Sequence, residues 1–189
     1  KSSVETINMS NWDIPSVTSA NDLFYECTKL TDVNLSNWNA PLLESVSAMF
    51  NNCSGLTTVN LSNWNTPSLK NVSGMFFNCY RLVNVDLSDI DASNVTTMKS
   101  MFENCSDLTS VDFSTWDTSN VTSMNSLFYD CRSLTSVTMG GDVSNVTNTS
   151  YMFDRISTQG TFYYNEKYDY SKIIEILPST WTAVPITIN

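Results

Sequence analysis

Cys27, Cys53, Cys79, Cys105 and Cys131 are the side chains best equipped for chemistry, and each follows the last by 26 residues. Thiols at a fixed interval could act as a redox ladder or hold a soft metal. The chain has no histidine, so it lacks the commonest general base and the usual activator of a cysteine or serine nucleophile. Five is an odd number for paired bridges, and side chains on one recurring column point the same way. Ile156 fills the corresponding slot in the last copy, so an apolar group suffices there. The expected state is a column of buried, reduced thiols acting as small hydrophobes. No cofactor and no metal is expected.

Carboxylates are the next candidates. Asp86 and Asp112 occupy equivalent positions one interval apart, with Asp89, Asp91 and Asp117 close in sequence. Such a group could hold a weak calcium ion near Asp86, Asp89 and Asp112, although no compact loop with calcium-ligand spacing is present. Paired carboxylates for glycoside hydrolysis would need a cleft at a set separation, which a regular repeat does not supply. Asn-x-Ser/Thr triplets at Asn34, Asn60, Asn94 and Asn120 recur because the repeat recurs, and they are read as incidental rather than as glycan acceptors.

The elements that must position these groups follow from the period. Intervals of 20–50 residues mark solenoids, propellers or arrays. Copies begin at Val4, Leu30, Leu56, Leu82, Leu108 and Leu134. The sixth is one residue short, because Gly140-Gly141-Asp142 stands where the fifth has Ser114-Thr115-Trp116-Asp117. Val33 and Leu35, Val59 and Leu61, Val85 and Leu87, and Val111 and Phe113 alternate with Asn34, Asn60, Asp86 and Asp112. That alternation predicts a short half-buried strand in each copy, paired in parallel with its neighbours at about 4.8 Å. Leu43, Val46, Met49, Phe50 and Cys53 then read as the apolar stripe of a short helix. Its Ser, Thr and Asn face is weakly helical, so packing must hold it. Asp13, Asn39, Asn65, Asp91, Asp117 and Asp142 are placed to cap that helix. The methionine and phenylalanine pairs such as Met101-Phe102 are read as core. The expected fold is an α/β repeat solenoid with a parallel sheet on one face and short helices on the other. Residues 1–158 form six repeats, and residues 159–189 cap the same domain. Phe162 and Tyr164 continue the strand phase, and Tyr170 to Leu177 predicts a capping helix stopped by Pro178.

Two motifs carry a family resemblance: Met49-Phe50-Asn51-Asn52-Cys53 and the strand pattern ending in Trp12, Trp38, Trp64 and Trp116, with Ile90 as the exception. Together they resemble the BspA-like leucine-rich repeats of bacterial and protist surface proteins, over residues 4 to about 158. The resemblance implies a right-handed leucine-rich-repeat coil. It also implies a secreted or surface-anchored protein that adheres to host or neighbouring-cell proteins or glycans. In this variant Trp replaces the common Asn, and each indole N–H is expected to donate to a loop carbonyl.

The net charge of −10 with nine basic residues argues against nucleic-acid binding. No apolar stretch approaches a membrane span, and Lys1-Ser2-Ser3-Val4 carries no signal pattern, so a leader or anchor is expected outside this sequence. A monomeric, non-catalytic binding module follows, with a spacer or an accessory domain of a larger surface protein or enzyme as the alternative. Two surfaces are candidates. One is the polar strand column Asn8, Asn34, Asn60, Asp86 and Asp112. The other is the variable column that holds Tyr25, Phe77 and Tyr129, either an exposed contact strip or half-buried edge packing.

Overall fold

The computed structural model describes residues 3–188. Lys1, Ser2 and Asn189, the ends of the two segments drawn from the sequence, lie outside the described residues. The chain winds as a solenoid of parallel strands. β1 (Thr6–Asn8), β2 (Asp32–Asn34) and β3 (Thr58–Asn60) form one sheet in that order. β4 (Ser110–Phe113), β5 (Ser136–Met139), β6 (Gly160–Asn165) and β7 (Trp181–Ile186) form a second. Equivalent residues pair: Ile7 with Val33 and Val33 with Val59 in the first sheet, Val111 with Val137 and Val137 with Phe162 in the second. β6 carries Phe162 in the strand phase, as its alternation predicts, and α1 (Ser171–Ile174) follows it.

The core regenerates once per coil. Leu30, Leu56, Leu82, Leu108 and Leu134 are fully buried, as are Cys53, Cys79, Cys105 and Cys131. Phe24, Phe50, Phe76, Phe102 and Phe128 stack with centroids 5.1, 5.4, 5.4 and 6.2 Å apart. Offset stacks at this separation add to the area each ring buries. The tryptophan column behaves as its chemistry requires. Trp38, Trp64 and Trp116 donate their indole N–H groups to the carbonyls of Met9, Leu35 and Leu87, at 2.8, 2.8 and 3.1 Å.

The predicted helices are not formed. Between Val46 and Cys53, and at the equivalent places in other coils, the chain runs through successive turns, and α1 is the one helix among the described residues. Hydrogen bonding gives the reason. The N–H groups of Val46, Ala48, Phe50 and Asn52 donate to Asn71, Ser73, Met75 and Phe77 of the next coil. Those of Met49, Asn51 and Cys53 reach back three residues, to Val46, Ala48 and Phe50. Ala48 and Asn52 hold positive φ of 55° and 62°, a left-handed conformation incompatible with an α-helix. Alternate N–H groups are therefore spent on the neighbouring coil. The Asx residues expected to cap helices instead close turns, as where Asp117 Oδ1 accepts the Ser119 N–H at 2.9 Å, or link coils, as where Asn39 donates to Asp13 at 2.8 Å.

The first sheet ends on the third coil and the second begins on the fifth, which leaves a seam at the fourth. Residues 83–87 are not in a strand. Val59 beside the seam and Val85 within it are half-buried, whereas Val33 and Val111 are 3% and 2% exposed. Two substitutions in the repeat coincide with it. Thr31, Thr57, Thr109 and Thr135 each donate a hydroxyl hydrogen bond to a carbonyl one coil back, but Val83 has no hydroxyl. At the corner after the strand, Asn11, Asn37 and Asn63 hold positive φ, whereas Asp89 and Thr115 do not. Asn tolerates the left-handed region and β-branched Thr avoids it. Coils on either side of the seam therefore turn this corner differently. The buried hydroxyl of Thr66 finds no partner at the same boundary, although its counterpart Thr118 donates to Asp142 at 2.7 Å. On the opposite side the coils stay joined, through bonds such as Gly74 N–H to Lys99 O at 2.8 Å.

At the C-terminal end the short sixth coil lies hard against the fifth. A Cβ on Gly140 would sit 2.1 Å from the Ser114 carbonyl oxygen, and one on Gly141 2.5 Å from that of Trp116. The cap bonds to this glycine pair: Asn165 donates to the Gly140 carbonyl at 3.1 Å, and the Tyr170 hydroxyl donates to that of Gly141.

Candidate binding surfaces

Asn8, Asn34 and Asn60 stand side by side on β1, β2 and β3, over a shallow depression in the sheet face. Asp86 and Asp112 continue the column through the seam, and both are exposed. All five share a duty that sequence reading missed. Each Oδ1 accepts the backbone N–H two residues on, from Ser10, Ser36, Ser62, Ser88 and Ser114, at 2.7–3.0 Å. This closes an Asx-turn at the strand end. Half of each side chain is thus committed to the scaffold, and the remaining amide nitrogens or carboxylate oxygens are what the face can offer. The Ser88 N–H, followed by the Ser88 hydroxyl, holds the Asp86 carboxyl below its ordinary range. Beside the column, the Thr58 hydroxyl and then the Thr31 hydroxyl do the same for Asp32.

Further Asn columns form ladders that link coils. Asn37 and Asn63 donate to Asn11 and Asn37 at 3.0 and 2.9 Å, and Asn78 and Asn104 donate to Asn52 and Asn78 at 2.6 and 2.7 Å. Amides suit such columns because each carries both a donor and an acceptor. The 26-residue recurrence of Asn was the visible signal. The suggested calcium group does not gather: among the described residues no three acidic or thiol side chains converge on one point. Asp86 Oδ1 is engaged with Ser88, and Asp89 Oδ2 with the Asn63 N–H.

The cysteines carry no exposed chemistry beyond the first coil. No disulfide links them, and only Cys27 is partly exposed. Each buried thiol donates to a phenylalanine carbonyl on the previous coil, from Cys53 to Phe24 at 3.0 Å through Cys131 to Phe102 at 3.0 Å. Burial pushes the Cys53 thiol up to about 12 and holds Cys79 and Cys105 well above the ordinary range. These thiols are structural and inert.

The variable column lies on the turn face. Tyr25, Asn51, Phe77, Glu103 and Tyr129 occupy it in successive coils. Their carbonyls accept N–H groups from Glu26 to Asn51, Asn52 to Phe77, Asn78 to Glu103 and Asn104 to Tyr129, all at 2.7–2.9 Å. Tyr25 is 46% exposed, and Phe77 and Tyr129 are half-buried. Ala48, Gly74, Ser100 and Ser126 run alongside at positive φ, and these small residues leave shallow hollows beside Phe77 and Tyr129. The Arg155 guanidinium lies 5.6 Å from the Tyr129 ring centroid.

The family model described as "Mycoplasma protein of unknown function, DUF285" matches residues 1–109 and 45–162. The chain belongs to this family. It is the BspA-like repeat family that the tryptophan and cysteine motifs resemble. No curated protein matches. Among solved structures, a leucine-rich repeat protein from Bacteroides ovatus aligns with 97% of this chain at a TM-score of 0.61 and 20% identity. The chain spans 43% of that protein's length. A Treponema pallidum leucine-rich repeat protein aligns with 82% of this chain and 86% of its own length, at a TM-score of 0.47 and 15% identity. The Bacteroides likeness shows the fold: a leucine-rich-repeat solenoid. No helix among the described residues is long and apolar enough to cross a membrane.

Proposed function

We propose that this DUF285 chain is a non-catalytic binding module, displayed outside the cell or on its surface, that adheres to host or neighbouring-cell molecules. What carries the reading is the in-register stack of Asn8, Asn34 and Asn60 on an open sheet face, which repeats one polar group at every coil. Such a surface suits weak contacts multiplied along an extended partner. Its acidity and lack of large aromatic or arginine anchors suit a polar partner better than a tight apolar one. The test is an array of host proteins and glycans probed with the intact chain, and with a variant in which Asn34, Asn60, Asp86 and Asp112 are all changed to Arg. Binding lost in the variant with an unchanged circular dichroism spectrum supports the strand face; binding unchanged moves the site elsewhere on the solenoid.

One observation favours a second reading, a spacer. Every Oδ1 of that column is already bonded to its own strand end, so the column has a scaffold role that needs no ligand. A chain that binds nothing on such arrays, yet is needed for a neighbouring domain to reach its target, would establish the spacer.

A further inference from the structure

We propose that the turn face holds a second binding site, a ladder for a neutral β-linked glycan that runs along the solenoid axis across the coils. The inference rests on the reading of this chain as a binding module, but it uses a different face and different residues.

The column is one of the places where the repeat stops repeating. The core position just before it keeps one residue type from coil to coil, as in Phe50, Phe76, Phe102 and Phe128. The column instead alternates aromatic and polar: Tyr25, Asn51, Phe77, Glu103, Tyr129, Asp154. The backbone bonds named above hold these residues in register, and Asp130 N–H to Asp154 O at 2.9 Å extends the register one coil further. Aromatic side chains therefore recur every second coil, which at strand spacing is about 10 Å.

That period matches one ligand class. A β-1,4-linked sugar chain advances by about one strand spacing per sugar and turns successive sugars over. The same apolar C–H face thus returns at every second sugar, where Phe77 or Tyr129 can stack against it. The intervening sugars present hydroxyls, which a carboxylate accepts and an amide both accepts and donates to. Glu103 and Asn51 stand at those steps. Asn51 Oδ1 is buried with no hydrogen-bond partner, an acceptor still open to an entering donor once the amide turns outward. The small residues at Ala48, Gly74 and Ser100 give a sugar room beside the rings. Lys99 and Arg155 flank the column. Glu103 and Asp154 within it, on a chain of net charge −10, disfavour a sulfated or sialylated polymer and select a neutral one.

Gel affinity electrophoresis with hydroxyethylcellulose or glycol chitin in the matrix, and heparin as the anionic control, tests this. It is paired with calorimetry on cello- and chito-oligosaccharides of two to six sugars. Retardation by a neutral β-linked polymer and not by heparin is expected, with affinity stepping up between the disaccharide and the trisaccharide, where Phe77 and Tyr129 are first spanned together. Phe77→Ala combined with Tyr129→Ala should weaken binding by about tenfold or more with an unchanged circular dichroism spectrum. A chain that no neutral β-glycan retards, a retardation that survives both substitutions, or an affinity with no step at the trisaccharide overturns the ladder. If the chain still captures a protein through Asn34 and Asn60, the ladder alone is wrong and the binding module stands. If it captures neither, both fall.

Discussion

The backbone N–H of Asn63 donates to the carboxylate of Asp89 at 2.9 Å, whereas Asn11 and Asn37 at the same corner donate to the backbone carbonyls of Ser36 and Ser62 at 2.8 Å. A side chain has replaced a backbone group at the one boundary where the strand face is unzipped. Asp89, Val83 and Ile90 are the residues that depart from the repeat there.

Restoring the missing hydroxyl should tighten this seam. In Val83→Thr the new hydroxyl can donate to the Thr57 carbonyl, as Thr57 does to Thr31 at 3.0 Å. A gain of about 0.5–1.5 kcal/mol is expected, read as a higher urea midpoint, with slower amide exchange across residues 83–87.

The tryptophan column should show a gradient of cost. Trp116 is 1% exposed and its indole N–H satisfies Leu87. Trp116→Phe leaves that buried carbonyl short of a donor and should cost about 1–3 kcal/mol. Trp12 is 47% exposed, so Trp12→Phe should change stability by less than about 0.5 kcal/mol. Equal losses at both sites in urea denaturation would contradict the packing described.

Gly141→Ala should damage the join between repeats and cap. Its Cβ would meet Thr118 Oγ1 and the Trp116 carbonyl, each at 2.5 Å, and displacement would strain the Thr118 bond to Asp142 and the Tyr170 bond to Gly141. A cost of about 1–3 kcal/mol is expected. Near-ultraviolet circular dichroism of the Tyr170 and Trp181 environment should change with it.

Thiol reactivity should divide the cysteines. Under native conditions Cys27 alone should react readily with iodoacetamide, because Cys53, Cys79, Cys105 and Cys131 are fully buried and burial raises their thiol pKa. Mass spectrometry should count one fast adduct in the native chain and all five cysteines modified in urea. Four fast adducts without denaturant would rule out a sealed thiol column.

Acid should weaken the strand face. The carboxyls of Asp32 and Asp86 titrate below their ordinary value of 3.8 in the fold. Their stabilisation is therefore complete above the unfolded value and is lost as pH falls through the folded one. The urea midpoint should hold steady down to about pH 5 and then decline. Asp86→Asn, which installs the residue that earlier coils use, should keep the Asx-turn and soften the decline.

Legibility differed between levels. Five evenly spaced cysteines, the Trp column and the Val-x-Leu alternation disclosed the period, the register and nearly every core residue. In a solenoid each residue packs chiefly on its own equivalents, so a column in the sequence is a column in space. The turns hid behind a helical reading. Leu43, Val46 and Met49, then Phe50, Cys53 and Leu56, form two runs in steps of three, and three-residue turns produce that spacing as readily as a helix surface does. The Asx column looked like a ligand surface because its Oδ1 bonds are to backbone, which a side-chain pattern does not reveal.

The residue order alone establishes that this chain is a repeating coil, which residues line its interior and which positions vary. The folded coils settled that the second half of each repeat is turn rather than helix, and that the sheet is interrupted at residues 83–87. The reason is one of range. Burial columns depend on residue type repeated at a fixed interval, whereas the destination of each backbone N–H depends on whether the next coil offers a carbonyl closer than the chain's own.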